Sequence, residues 1–274
     1  MRFFITAICL LILNSAATAQ TRIVPIVEMK VKGLLGGVEN GKFVDAKTTA
    51  AKLKGDEKYT LFGVKGVNKG ELSIGKPKND EDVCEDFYYV ETPADAEVIG
   101  KVEDVSGVAL GDGYKWNPVP RLPKAIDLND ATYKKAVADV LRTKGITKTT
   151  IKLTQAYRID LDGDGREEVL LAATFYKGGL SASAAKNDYS FILLRKIVGK
   201  KVQNIVVDGE FITKAIEFGA PSEYEISAIA DLNGDGKMEM ILHSAYYEGS
   251  SSWAVEMKAG KPVEIKTLSV GCGV

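Results

Sequence analysis

The chain contains the segment Asp160-Leu-Asp-Gly-Asp-Gly-Arg-Glu-Glu168 and, 71 residues later, the similar segment Asp231-Leu-Asn-Gly-Asp-Gly-Lys-Met-Glu239. We call these segments the first loop and the second loop. An apolar run follows each of them, Val169 to Ala173 after the first and Met240 to Leu242 after the second. A repeat of this kind indicates that one supersecondary unit has been duplicated within the chain.

The residue types in both loops are those that bind a hard cation. Calcium takes six to eight oxygen ligands from a flexible loop, and side-chain oxygens at positions 1, 3 and 5 converge on one centre. Glycines at positions 4 and 6 let the backbone curl around the ion. Position 7 contributes its carbonyl oxygen, and the glutamate at position 9 closes the shell. We therefore predict two Ca²⁺ sites, formed by Asp160, Asp162, Asp164, Arg166 and Glu168 and by Asp231, Asn233, Asp235, Lys237 and Glu239.

The two loops differ in their charge. The first offers four carboxylates and the second offers three, because the neutral Asn233 takes the place of an aspartate. Calcium affinity in such loops rises with the charge of the ligands. The count of carboxylates therefore predicts that the first loop binds calcium more tightly than the second.

Two other interpretations of the loops are open at this point. An EF-hand loop needs a bidentate acid at position 12, where this chain has Leu171 and Leu242, and it needs flanking helices. An acidic turn without a metal would place several carboxylates close together, which is costly because they repel one another. Both alternatives fit the sequence less well than a calcium loop between two strands.

A strand is predicted before the first loop, because apolar residues there recur with a period of two. This period puts Ile151, Leu153, Tyr157 and Ile159 on one face of the strand. The region upstream of this strand contains three prolines, at positions 118, 120 and 123, and then a helical pattern capped by Asn129 or Asp130. An apolar stripe marks this helix before Gly145 ends it: Tyr133, Ala136, Val137, Val140 and Leu141.

Residues 20–115 read as short strands separated by turns. Gly36-Gly37 and Asn40-Gly41 are turn signals, and residues 45–53 have the spacing of a short helix. We predict a mainly β fold with one linking α-helix and four regions. These are a signal peptide at 1–19, a β-rich region at 20–115, a Pro-rich linker and helix at 116–146, and a β domain with two calcium-loop repeats at 147–274.

The loops and the strands that follow them resemble the FG-GAP/VCBS repeat, which forms integrin-type β-propeller blades. The resemblance covers roughly residues 151–270 and rests mainly on the nine-residue motif. It implies two blade-like strand–loop–strand units that each bind calcium. Glu168 and Glu239 depart from the family, which usually has aspartate there, and two copies are too few for a closed seven-bladed propeller.

The N-terminus has the pattern of a secretory signal. Arg2 precedes the apolar run from Phe3 to Leu13, and Ala17-Thr18-Ala19 fits a cleavage site, so we predict an exported protein cleaved after Ala19. That run is too short to span a membrane, and no other run approaches this length. Export also favours a disulfide between Cys84 and Cys272, the two cysteines that remain after cleavage.

These patterns predict an exported, calcium-binding structural or ligand-binding module with an unidentified protein or glycan partner. The alternative is an extracytoplasmic hydrolase that uses acidic residues, for example on carbohydrate, and an enzyme is the less favoured reading. Since 36 basic residues balance 37 acidic ones, we expect no nucleic-acid partner. The one histidine, His243, excludes a His-rich metal site and is expected to be an ordinary strand residue.

Overall fold

The computed structural model of the protein describes residues 22–79, 84, 86–91 and 107–273. The predicted signal peptide, residues 1–19, lies outside the described residues. In the part that is described, the chain is mainly β, as predicted. The strands are β1 (Val24–Glu28), β2 (Gly33–Glu39), β3 (Lys42–Val44), β4 (Lys58–Gly63), β5 (Gly66–Ser73), β6 (Lys78–Asn79), β7 (Tyr88–Tyr89), β8 (Val108–Gly111), β9 (Lys124–Ala125), β10 (Leu153–Ile159), β11 (Glu168–Phe175), β12 (Tyr189–Val198), β13 (Lys201–Phe211), β14 (Glu223–Ala230), β15 (Glu239–Tyr246), β16 (Gly249–Lys258) and β17 (Lys261–Gly273).

Two helices accompany the strands, α1 (Ala46–Lys52) and α2 (Ala131–Thr143). The linking helix is confirmed as α2: the Asp130 carboxylate caps it by accepting from the backbone N–H groups of Thr132 and Tyr133. Its end is also as predicted, because Gly145 has a φ of 83° and the Ile146 N–H donates to the carbonyl of Leu141. The predicted fold had a single linking helix. The structure has a second helix, α1, at the place where residues 45–53 have helical spacing.

The strands form three sheets. The first sheet has the order β5-β4-β8-β1-β2-β7-β6, with β3 paired to β2. The second has the order β13-β12-β11-β10-β9, and the third has the order β14-β15-β16-β17. The chain from β10 to β13 and the chain from β14 to β17 are therefore two four-stranded antiparallel meanders, each of which contains one of the acidic loops.

The third sheet lies between the other two. One of its faces carries Met240 and Leu242, which pack against Leu170 and Ile192 of the second sheet. Its other face packs on the first sheet through a separate apolar layer. Because both faces are covered, successive side chains such as Met240 and Ile241 are all buried. This double burial accounts for the unbroken apolar run after the second loop.

Each outer sheet carries one helix on its remaining face. The apolar stripe of α2 packs on the second sheet, where Val137 and Leu141 contact the layer that contains Leu171 and Phe191. The shorter α1 packs on the first sheet through Ala50 and Leu53. The order through the molecule is therefore α2, second sheet, third sheet, first sheet and α1.

Two features of the region 20–146 differ from the sequence interpretation. Gly36 and Gly37 lie inside β2 instead of forming a turn. The strand needs glycine at position 36 because a Cβ there would lie 2.4 Å from the carbonyl oxygen of Val44. The turn at Asn40-Gly41 is present, with both residues at positive φ. The Pro-rich region is more than a linker, since Lys124 and Ala125 pair with Arg158 and Tyr157 as strand β9.

Cys84 and Cys272 are joined at disulfide distance, with their Cα atoms 5.7 Å apart. The predicted pairing is thereby confirmed, and it ties β17 to the loop before β7. Among the described residues, neither helix is long and apolar enough to cross a membrane.

We expect the disulfide to be a main source of stability, because it closes a loop across a sequence separation of 188. Replacing both cysteines (Cys84→Ser with Cys272→Ser) should lower the free energy of unfolding by about 5 kcal/mol, by loss of loop-closure entropy. Urea unfolding measures this loss, and either single replacement should cause a similar one. Intact mass before and after reduction is the control, and two free thiols in the purified, unreduced protein would contradict the prediction.

Candidate metal centre

Both acidic loops close the first hairpin of a meander in the same way. The first loop joins β10 to β11, and the Ile159–Glu168 pair closes the ladder there. The second loop joins β14 to β15, and the Ala230–Glu239 pair closes that ladder. Each position-9 glutamate is therefore the first residue of a strand, held at a fixed place beside its loop.

The hydrogen bonds inside the first loop hold its carboxylates in place. The Asp160 carboxylate accepts from the N–H of Gly163 at 2.8 Å and of Gly165 at 3.0 Å. The Glu168 carboxylate accepts from the N–H of Leu161 at 3.0 Å, and Asp164 accepts from the N–H of Arg166 at 2.8 Å. Backbone N–H groups thus hold the loop curled around its acidic side chains.

The second loop repeats this pattern 71 residues later. Asp231 accepts from the N–H groups of Gly234 at 2.7 Å and Gly236 at 2.9 Å, and Glu239 accepts from the N–H of Leu232 at 2.8 Å. The glycines at positions 4 and 6 have φ between 77° and 84° in both loops. Other residues rarely adopt this left-handed conformation, which explains the glycines of the motif.

The structure brings together some of the predicted ligands and leaves others apart. One oxygen each from Asp160, Asp162 and Glu168 lies within 4.8 Å of the others, and this is the one such acidic trio among the residues described. Asp164 is exposed and stands outside the trio. In the second loop an amide oxygen of Asn233 takes the place of the Asp162 carboxylate. The side chains of Arg166 and Lys237 are exposed, as expected for residues that would contribute only a backbone oxygen.

Burial shifts the acid–base behaviour of the position-9 glutamates. Burial raises the pKa of Glu239 to about 8, and the nearby carboxylates of Asp235, Asp231 and Glu256 add to the rise. Burial also raises the pKa of Glu168, where the Leu161 N–H and the Lys196 ammonium act in the opposite direction. A carboxylate in such a place is costly to ionise unless a cation compensates its charge.

Residues of the Pro-rich region contact both loops, which the sequence analysis missed. Arg121 donates from Nε to the carbonyl of Asp160 at 2.6 Å and from Nη2 to the carbonyl of Gly236 at 2.7 Å. Trp116 donates from Nε1 to the carbonyl of Asp231 at 2.8 Å. The sequence did show a tryptophan and an arginine among closely spaced prolines. Local patterns do not reveal, however, that these residues contact a loop more than 100 residues away along the chain.

The two loops also touch each other. The N–H of Met238 donates to the carbonyl of Leu161 at 2.8 Å. Together with the Arg121 bridge, this bond places the two candidate sites side by side at one edge of the sheet stack. Because the loops share these contacts, they form one structural unit.

His243 lies on β15, away from the loops, as expected for a strand residue. Its side chain is buried, and Nδ1 lies 2.9 Å from the Ser252 hydroxyl. The buried Glu28 accepts from the Ser227 hydroxyl at 2.7 Å and is also close to Ser252. These groups form a polar network between the third and first sheets. Burial lowers the pKa of His243 to about 4.

Comparison of the chain with protein-family models, with curated proteins and with solved structures finds no match. The assignment of a function therefore depends on the geometry of the loops and their surroundings.

The low pKa of His243 predicts a specific pH dependence of stability. In the unfolded chain the pKa of His243 has its ordinary value of 6.5, whereas in the folded protein it is about 4. The stabilisation is therefore complete above pH 6.5 and is lost as the pH falls toward 4, by an amount on the order of 3 kcal/mol. Urea unfolding between pH 4 and 7.5 should show that the His243→Gln variant loses less stability than the unchanged protein. Equal losses in both proteins would contradict the prediction, since all other titrating groups are shared.

Proposed function

We propose that this protein is an exported calcium-binding module in which each loop holds one Ca²⁺ ion between the strands of an FG-GAP/VCBS-type, blade-like repeat. The observation that carries the proposal is the matching hydrogen-bond pattern of the two loops. In both, the aspartate at position 1 and the glutamate at position 9 are fixed by backbone N–H groups. In the first loop one oxygen each from Asp160, Asp162 and Glu168 lies within 4.8 Å of the others, and converging oxygens of this kind would suit calcium.

Burial of the position-9 glutamates supports a cation rather than a metal-free turn. Glu168 and Glu239 are only 3% and 2% exposed, and each lies close to further carboxylates. Such clustering disfavours ionisation in the absence of a cation, and a divalent ion would remove this cost. The EF-hand alternative is less well supported, because strands and not helices flank both loops.

The predicted signal at residues 1–19 and the disulfide between Cys84 and Cys272 support export, since disulfides persist in oxidising compartments.

Calcium in the loops would act mainly by linkage. An ion that binds only the folded chain raises its stability in proportion to the logarithm of the ion concentration above the Kd.

Calorimetric titration of the mature protein, residues 20–274, tests the proposal with a matched pair of variants. We expect two calcium sites, with Kd values in the range of roughly 10⁻⁴ to 10⁻³ M that is usual for extracellular modules. Glu168→Gln should weaken calcium binding by the first loop about tenfold or more, because the amide keeps the bond from Leu161 N but loses the charge. Glu239→Gln should do the same in the second loop.

The control is the neighbouring Glu167→Gln. Glu167 is exposed and pairs with Lys124 at 2.6 Å, outside the acidic trio, so this variant should retain both sites. Absence of any calcium-dependent heat or melting shift up to millimolar calcium would contradict the proposed function.

A second candidate function, binding or hydrolysis of an extracytoplasmic carbohydrate, is favoured by a polar cleft away from the loops. The cleft has a volume of about 510 Å³ and is lined by Tyr224, Trp253, Asp208, Ser251 and Glu264 among others. The rings of Tyr224 and Trp253 meet edge to face, with centroids 6.2 Å apart. Aromatic faces beside carboxylates and hydroxyls are the groups that sugars contact.

Glu210 is hydrogen-bonded to Tyr224, one of the residues that line this cleft, and it is the carboxyl group we consider for hydrolysis. Its carboxylate accepts from the N–H of Ser222 at 3.2 Å, and burial raises its pKa. If the protein hydrolyses a glycan, Glu210→Gln should abolish turnover and leave glycan binding within about twofold. Trp253→Ala should weaken glycan binding about tenfold or more in an array or titration. A screen of glycans that detects neither binding nor turnover would exclude this second function.

A further inference from the structure

The two loops differ in the side chain that lies across from the position-9 glutamate on the neighbouring strand. In the second sheet Val169 pairs with Arg195, and in the third sheet Met240 pairs with Val255. One residue further along the same ladders, Lys196 is opposite Glu168 and Glu256 is opposite Glu239. Directly opposed residues of antiparallel strands are close neighbours. The duplicated units therefore carry opposite charges at this place.

Lys196 is directed into the acidic trio of the first loop. Its side chain is 10% exposed, and its Nζ lies 3.7 Å from Asp162 Oδ2 and 3.9 Å from Glu168 Oε1. Both distances are longer than a hydrogen bond, so the ammonium stands near the carboxylates as a point charge. A buried ammonium held in this way occupies the neighbourhood that a bound cation would also occupy.

Glu256 has the opposite effect in the second loop. It lies opposite Glu239 one residue beyond the Met240–Val255 pair, and its own cation, Lys258, is largely exposed, with Nζ 3.3 Å from Glu256 Oε1. When the opposing strand is included, the first loop has four carboxylates and one ammonium, whereas the second has three carboxylates and a fourth from Glu256. With every carboxyl group ionised, as calcium binding would require, the net negative charge is then greater around the second loop.

We propose that Lys196 is a tethered competitor for the cation position of the first loop, and that the second loop binds calcium more tightly. This inference rests on the proposed function and reverses the order that the count of loop carboxylates predicts. Calcium enters the first loop by displacing the Lys196 ammonium, whereas in the second loop Glu256 adds to the attraction. As calcium rises, the second loop fills first and the first loop responds at higher concentrations.

Calorimetric calcium titration of single-site backgrounds tests the inference on the mature chain. Glu239→Gln leaves the first loop as the intact site, and Glu168→Gln leaves the second. We expect the second loop to have a Kd at least about tenfold lower than that of the first. Adding Lys196→Met to the Glu239→Gln background should lower the Kd of the first loop about tenfold, because the competing charge is removed.

Two further variants keep the test independent of the fold around Lys196. Lys200→Met removes an exposed lysine from the turn of the same hairpin and should leave the Kd of the first loop unchanged. Glu256→Lys in the Glu168→Gln background should raise the Kd of the second loop to about that of the first.

The outcomes separate the inference from the proposed function. If both loops bind calcium but Lys196→Met and Glu256→Lys leave their Kd values unchanged, the inference is overturned and the proposed function stands. If no background binds calcium, even with Lys196→Met, then both are overturned. A lower Kd on removal of Lys196, with no effect of Lys200→Met, supports both.

Discussion

Burial of the third sheet on both faces is the constraint on which the rest of the structure depends. A sheet covered on both sides has no face for unpaired polar groups, so its interior polar residues must find partners. Ser227 accordingly donates to Glu28 across the junction with the first sheet, and Ser252 pairs with His243 on the neighbouring strand of the third sheet. Groups that must stay charged are displaced to the ends of the strands, and the acidic loops lie there.

The same packing brings the two loops together. Each loop follows the first strand of its meander, and the two meanders pack face to face, so both loops open at one edge. Many carboxylates in one place repel each other. The guanidinium of Arg121 lies between the loops and donates to a carbonyl of each. Its rigid fork suits this bridging role better than a flexible ammonium would.

Local sequence patterns predicted the elements whose cause is local. The capped helix α2, the curled acidic loops and the pairing of Cys84 with Cys272 all appear as expected. The prediction that Ile151, Leu153, Tyr157 and Ile159 share one face of β10 was wrong. A register shift between Leu153 and Gln155 turns Ile151 and Leu153 toward α2, whereas Tyr157 and Ile159 pack toward the third sheet. Gly36 and Gly37 of β2 were wrongly interpreted as a turn. At Gly36 the reason for glycine is the close approach of Val44 and Leu268 from other strands. The contacts of Arg121 and Lys196 were missed for the same reason. Each depends on strand register or chain crossing, which the sequence around the residue does not contain.

The count of loop ligands is for this reason an incomplete measure of a site's electrostatics. An ion between strands would interact with the loop and also with the side chain held opposite by the ladder. A unit charge at about 4 Å has more than half the effect of the same charge on a ligand at about 2.4 Å. The two loops share their residue types because the same hydrogen-bond pattern requires them in both. The hydrogen-bond pattern does not constrain the residue opposite on the neighbouring strand. At that position the two units differ, with Lys196 in one and Glu256 in the other. If calcium binds as proposed, the two sites then differ in affinity while sharing one backbone geometry.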